Sequence, residues 1–290
     1  MLCWWEAGLK ALQMFPEDYD GVFSGAPAWW TTHLQLWAVK TLTYNALSNA
    51  THSIPESMFG PISDEVVRQC GPQDGLIGII ISDPLRYTFD PLTLLCSGNS
   101  TSNCLNPAQI DTLYYIYNDW VETNQTYVFS HYLLGTEQSR SNNIGVGATA
   151  GLETQSGYVR DLMQLGPAWT YRDLDYDAVL LSEEINQRNA TADDFDLSPF
   201  YKRGGKLLHR HGLADTALAM GSSLYFYSHV VRALARYSIN VDDFYRFFLI
   251  PGMEYVPSPL QLPSASLGFL PLFSSLRRLT LSLCPHPPKT

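Results

Sequence analysis

A strand, a turn ending on a carboxylate and a helix follow one another between Gly204 and Leu234, and this order constrains the fold more than any other stretch. Lys206-Leu207-Leu208-His209 is a short apolar run opened by a glycine pair, which reads as a buried strand. His211-Gly212-Leu213-Ala214-Asp215 reads as a turn. Gly221-Ser222-Ser223 then offers an N-cap, and Leu224, Tyr227, Val230, Val231 and Leu234 recur at helical spacing. An open α/β sheet presents a catalytic acid in this way, beyond the carboxyl end of a strand. Asp is also common in turns, where its side chain bonds nearby backbone, so Asp215 reads equally as a turn-closing residue.

At 290 residues the chain can bury a sizeable core, as one large domain or as a domain with an insertion. A formal charge of −10 argues against nucleic acid and anionic membrane surfaces, both of which select basic patches. The sequence has no run of about twenty apolar residues, so no membrane span is expected. Met1-Leu2-Cys3-Trp4-Trp5-Glu6 has neither a basic n-region nor a cleavage site, so no signal peptide is visible. Other features point to secretion. Cys96 and Cys104 flank a short polar loop that a local disulfide would close. Sequons stand at Asn49, Asn99, Asn124 and Asn189, and four of them in polar contexts lean towards a secreted glycoprotein. A secreted chain without a leader suggests that Met1 is not the original start.

Glu6 to Phe15 is helix-like and is stopped by Pro16, and Gly21-Val22-Phe23-Ser24-Gly25 is a short buried strand. From Trp29 to Phe200 the texture changes to alternating polar, aromatic and proline-rich segments. Helices are predicted over Thr31 to Ala46, Ile62 to Gln69 and Pro107 to Val121, and a loop over Ser139 to Gly151. This stretch reads as an insertion, a cap or lid, after which the sheet resumes at Lys206. A further strand runs from Asp242 to a Pro251-Gly252 turn. The expected organisation is an α/β core from 1–30 and 201–253, a lid from 31–200, and an irregular tail from 254–290 rich in Leu, Ser and Pro.

Helix, strand, long insertion, strand with acid, helix, strand fits the second half of an α/β-hydrolase, whose triad runs Ser, then Asp or Glu, then His. Several stretches resemble the fungal tannase and feruloyl esterase family. They are Leu9 to Ala28 (LKALQMFPEDYDGVFSGAPA), Asp74-Gly75 with Ile81-Ser82-Asp83-Pro84, Gly205 to Asp215 (GKLLHRHGLAD), and Phe244 to Met253 (FYRFFLIPGM). The resemblance covers about Gly8 to Met253. It implies α/β architecture: a partial hydrolase sheet, its C-terminal half, with a large, mainly helical and loop lid. It also implies a secreted serine esterase acting on small esters of phenolic acids such as gallate or ferulate, with Asp215 as triad acid. That acid would orient the catalytic histidine and stabilise its imidazolium.

The resemblance also marks departures. The family nucleophile lies in a Cys-Ser-x-Gly-Gly elbow whose Ser position falls here on Leu2, its Cys on Met1 and its glycines on Trp4 and Trp5. Such an elbow needs small residues for its tight turn, which two tryptophans are not. Ser24 is no replacement, since it lies in the strand and lacks the elbow spacing. Where the family continues Pro-Gly-Met with Gly-His-Cys, this chain has Glu254, Tyr255 and Val256. Tyr255 is a poor base, its proton leaving near pH ~10. His209 and His211 precede the acid, and His286 is far along the tail. The family's calcium loop, Cys-Asp-x-x-Asp-Gly-x-x-Asp-Gly, reads here Cys70-Gly71-Pro72-Gln73-Asp74-Gly75-Leu76-Ile77-Gly78-Ile79. Asp74 keeps its carboxylate and the carbonyls of Leu76 and Ile80 remain, a set too small for a cation that takes about six to eight oxygens. Calcium is therefore expected to bind weakly or not at all. The partner of Cys70 would fall near Tyr87, leaving Cys70 unpaired, whereas Cys96 and Cys104 match a family pair.

Three accounts follow: a working ester hydrolase; a non-catalytic module whose Trp29, Trp30, Trp37, Trp169 and Tyr171 stack on a phenolic ligand; and a product truncated at its functional motifs. The third is favoured, with an exposed apolar sheet edge as its structural expectation. The chain is expected to be inactive because the triad's Ser and His are missing.

Overall fold

The computed structural model describes residues 4–45, 50–75, 78–98, 102–137, 139 and 149–254. Leu9 and Leu12 place the buried stripe of the first helix, α1 (Trp4–Met14), and Pro16 enforces its end. A polar turn leads into β1 (Gly21–Gly25). The long middle section holds α2 (Thr31–Asn45), α3 (Phe59–Cys70), α4 (Pro107–Ile116), the short strands β2 (Trp120–Val121) and β3 (Tyr127–Phe129), α5 (Thr149–Gly157), α6 (Tyr176–Ile185) and α7 (Ser198–Lys202). The chain then forms β4 (Lys206–Gly212), α8 (Gly221–Ala235) and β5 (Tyr245–Ile250).

Some of these bounds correct the sequence reading. The helix from Pro107 stops at Ile116, and Trp120–Val121 pairs antiparallel with Tyr127–Phe129 instead of continuing it. Its start is as expected: Asn106 and Gln109 form a capping box ahead of Pro107. Helix α5 begins at Thr149, inside the segment read as a loop. Strand β4 runs on through His211 to Gly212, and β5 begins only at Tyr245, after a helical turn at Val241–Asp243. The tail beyond Glu254 lies outside the described residues.

β1, β4 and β5 form one parallel sheet in the order β1-β4-β5, with Ser24 opposite His209 and His209 opposite Phe247. Strand pleating puts Val22, Ser24, Leu207, His209, His211, Tyr245 and Phe247 on one face. That face is covered: Leu9, Leu12, Leu207, Phe226, Val230 and Tyr245 form one apolar cluster joining α1, α8 and the sheet. The other face carries Phe23, Leu208, Arg210, Arg246 and Phe248. There Phe23 is 53% and Phe248 52% exposed, with the Arg210 guanidinium over the Phe23 ring. Among the described residues β1 pairs with β4 alone and forms an edge of the sheet.

A larger cluster fills the middle section around Leu36, Ile62, Leu113, Phe129, Val159 and Val179. Polar ties join it to the sheet cluster. The Trp29 indole N–H donates to the Ser222 carbonyl at 3.0 Å, the Ala192 amide to the Trp29 carbonyl at 2.8 Å, and Lys10 Nζ to the Thr191 carbonyl at 2.7 Å. Cys96 and Cys104 are joined, with Cα atoms 4.9 Å apart, beside a bridge between Leu95 and Leu105. Cys70 is buried and free, its thiol pushed up to about 11 by burial and by the Glu137 charge.

Candidate active site

Alternation along β4 decides which side chains reach the interior. Lys206 and Arg210 point to the open face, whereas His209 and His211 are fully buried beneath α8. Ser223 of α8 lies between them. Its hydroxyl is 3.0 Å from His209 Nε2 and 2.7 Å from His211 Nδ1. The far nitrogen of His209, Nδ1, is 2.7 Å from the Tyr245 hydroxyl on β5. Burial, and then repulsion from His211, lower the His209 pKa to about 3. Burial raises the Tyr245 hydroxyl far above its ordinary value. The His209 ring and the Tyr245 hydroxyl are therefore both uncharged at pH 7.

β4 ends at Gly212, and Asp215 follows in the turn beyond its carboxyl end. Asp215 is 3% exposed. Its Oδ1 accepts from the amides of Ala217 and Leu218, each at 2.9 Å. Its Oδ2 is 3.4 Å from His211 Nε2, which also lies 3.0 Å from the Leu218 carbonyl. The turn-closing role of Asp215 is thus present in the geometry. The chain leaving β5 is brought to the same place. Leu213 N donates to the Ile250 carbonyl at 2.9 Å and Ala214 N to the Met253 carbonyl at 3.1 Å. Gly212 permits this, since a Cβ there would stand 2.1 Å from the Met253 carbonyl oxygen.

Sequence reasoning missed Ser223 and Tyr245. The triplet Gly221-Ser222-Ser223 was read as a cap, but α8 starts after Met220 with no side-chain cap, and Ser222 Oγ donates to the Ala219 carbonyl at 2.9 Å. The alternation Lys206, His209, Arg210, His211 was the available signal: two histidines two residues apart share a buried face and need a polar partner there. Ser223, His211 and Asp215 make up the residue types of a hydrolase triad, but their geometry forbids that use. Ser223 and His211 are both 0% exposed, the hydroxyl is shared between two rings, and no substrate carbonyl can reach it.

The other expected site residues are scattered. Trp4 and Trp5, at the elbow glycine positions, open α1 in helical conformation. Met1, Leu2, Tyr255, Val256 and His286 lie outside the described residues. Ser24 is 1% exposed within β1. Asp74 ends a helical turn at Gly71–Asp74, Leu76 lies outside the described residues, and the Ile80 side chain lies against Gly252. Among the described residues no group of three or more His, Cys, Asp or Glu could hold a metal. Of the sequons, Asn49 and Asn99 lie outside the described residues. Asn124 is exposed in the β2–β3 turn, its Oδ1 accepting from Thr126 N at 2.9 Å. Asn189 is exposed with Oδ1 on Lys10 Nζ at 3.0 Å, while the hydroxyl of its Thr191 is buried against Thr32.

The five singled-out aromatics are mostly packed already. Trp29, Trp37 and Trp169 are at most 9% exposed. Trp30 stacks on His33 at 3.9 Å and on Tyr225 at 4.9 Å, and the Arg172 guanidinium covers Tyr171 at 4.8 Å.

A parallel sheet with an acid beyond the carboxyl end of its middle strand, followed by a packed helix and a further strand, defines part of an α/β-hydrolase fold. Comparison with known proteins agrees. The family model "Tannase and feruloyl esterase" matches residues 6–158 and 171–267, and the chain belongs to this family. It is 30% identical over 260 residues to a probable feruloyl esterase B-1 from Aspergillus oryzae, covering 86% of this chain and 46% of that protein. A probable feruloyl esterase B-2 from Aspergillus terreus is 30% identical over 249 residues, covering 86% and 47%. The crystal structure of feruloyl esterase B from Aspergillus oryzae superposes with a TM-score of 0.78 at 29% identity, over 86% of this chain and 50% of that one. A tannin acyl hydrolase from Aspergillus niger, TM-score 0.66 and 18% identical, shares the fold. The chain spans about half the length of the relatives it matches. No helix among the described residues is long and apolar enough to cross a membrane.

Proposed function

We propose that this chain carries the acid-bearing part of a carboxylic ester hydrolase acting on esters of phenolic acids, such as ferulate or gallate, and that alone it does not turn them over. The observation that carries the reading is Asp215. It stands beyond the carboxyl end of the middle strand, its carboxylate fixed by two amides, with the Met253 carbonyl bonded to the neighbouring Ala214 amide. An acid in that place orients a histidine, and acyl transfer needs that histidine and a nucleophile as well. The residues at the matching positions are Tyr255 and Leu2, neither of which does that chemistry. His211 does not substitute, since both its ring nitrogens are engaged and it is buried. The proposal includes secretion, supported by the Cys96–Cys104 disulfide and the exposed sequon at Asn124, and the absence of a functional calcium site.

The test is treatment of the purified protein with a fluorophosphonate probe and a chromogenic ferulate ester. Neither a covalent adduct nor hydrolysis above buffer is expected. A stoichiometric adduct, or turnover abolished by Asp215→Ala, would overturn the inactive reading. Saturable binding of methyl ferulate without turnover would favour a non-catalytic ligand-binding module instead.

A further inference from the structure

We infer that Tyr245, His209 and Ser223 form a one-way hydrogen-bond chain whose last link, the Ser223 hydroxyl, holds the tautomer of His211, and that His211 is a positioning residue for Asp215. The inference rests on the reading of Asp215 as the acid of the hydrolase site.

The direction of the chain follows from its end. The Leu218 carbonyl can only accept, so His211 Nε2, 3.0 Å away, carries a hydrogen. In a neutral ring Nδ1 is then an acceptor, so the Ser223 hydroxyl, 2.7 Å away, donates to it. Having given its only hydrogen, Ser223 Oγ accepts from His209 Nε2 at 3.0 Å. His209 Nδ1 is then the acceptor for the Tyr245 hydroxyl at 2.7 Å. Every polar hydrogen and every ring nitrogen in the series is used, and both histidines are Nε2–H tautomers. The opposite direction would require an imidazolium at His211 and would leave the Tyr245 hydroxyl hydrogen without a place in the chain. Burial that keeps His209 neutral is consistent with the first arrangement.

The chain delivers one fixed N–H to the Asp215 turn. His211 Nε2–H lies between the Leu218 carbonyl at 3.0 Å and Asp215 Oδ2 at 3.4 Å, while Asp215 Oδ1 holds the Ala217 and Leu218 amides. The turn is therefore clasped from both ends, and a ring of the other tautomer would aim a lone pair at a carbonyl and a carboxylate.

The test is heteronuclear NMR of the unmodified full chain, reading the protonated nitrogen of each histidine by its long-range ¹H–¹⁵N pattern. Nε2–H at both His209 and His211 at pH 7 is expected. An Nδ1–H tautomer or an imidazolium at His211 at pH 7 overturns the inference. Two variants locate the link. Ser223→Ala is expected to leave His211 in mixed tautomers and to speed amide exchange at Ala217 and Leu218 by up to about tenfold, the worth of one hydrogen bond. Tyr245→Phe, a cut one step further away, is expected to leave His211 fixed and those two amides unchanged. Equal effects of both variants, or no effect of Ser223→Ala on a folded protein, overturn it. Because none of these readouts uses catalysis, reversed tautomers would defeat the inference alone, whereas probe labelling at the active site would defeat only the reading beneath it.

Discussion

The two faces of the three-stranded sheet differ as sharply as two proteins might. One is sealed by α1 and α8 and holds Leu207, Tyr245 and two buried histidines, with the polar atoms of both rings paired. The other presents Phe23 and Phe248 more than half exposed, interleaved with Lys206, Arg210 and Arg246. Parallel sheets are ordinarily covered on both sides, because their crossovers lay helices on both. The difference teaches where stability is held. Burial and polar satisfaction are concentrated on one side of the strands, so substitutions should be costly there and nearly free on the other.

The strongest challenge to that division is Gly212→Ala. Gly212 belongs by pleat to the open side, but the Met253 carbonyl covers it. The added methyl must push the Met253 segment away and break its bond to Ala214, with an expected loss of about 3 kcal/mol in urea unfolding. A loss below ~1 kcal/mol would show that this end of the sheet is loosely held. The covered side should next reveal itself through pH. The folded-state pKa of His209, about 3, lies below the unfolded value of ~6.5, so the unfolded chain takes up a proton that the folded one refuses. Stability is full above pH ~6.5 and falls as pH drops towards 3, by about 2 kcal/mol at pH 5. Urea midpoints measured from pH 7 to 5 should show this slope, and His209→Asn should flatten it. Tyr245→Phe removes the donor to His209 Nδ1 in a fully buried site and should cost about 1 to 2 kcal/mol. Phe23→Ser and Phe248→Ser, on the open side, should change stability by less than about 0.5 kcal/mol while lowering light scattering at high concentration. If either costs as much as Tyr245→Phe, the open face is packed in solution.

Much of the fold was legible because its signals are local. Pro16, Pro107 at a helix start, and the succession strand, acid, helix around Asp215 each act within a few residues. The β4 histidines were visible, but their shared burial was not drawn from the alternation. Ser223 was hidden for a different reason. A serine in the first turn of a helix is ordinarily a cap, and only the packing of α8 on β4 turns its hydroxyl towards two rings. The break between α4 and β2 was missed because Tyr117, Asn118 and Asp119 contain neither Gly nor Pro. The termination comes from pairing between Trp120 and Phe129, which no window of sequence displays.

The contact between the Ala214 amide and the Met253 carbonyl is made wholly of backbone. Main-chain latches are indifferent to which side chains follow, so this one survives the change from the family's Gly-His-Cys to Glu254-Tyr255-Val256. The position of Met253 beside the Asp215 turn is thus kept by the scaffold, whatever side chains the sequence carries after it.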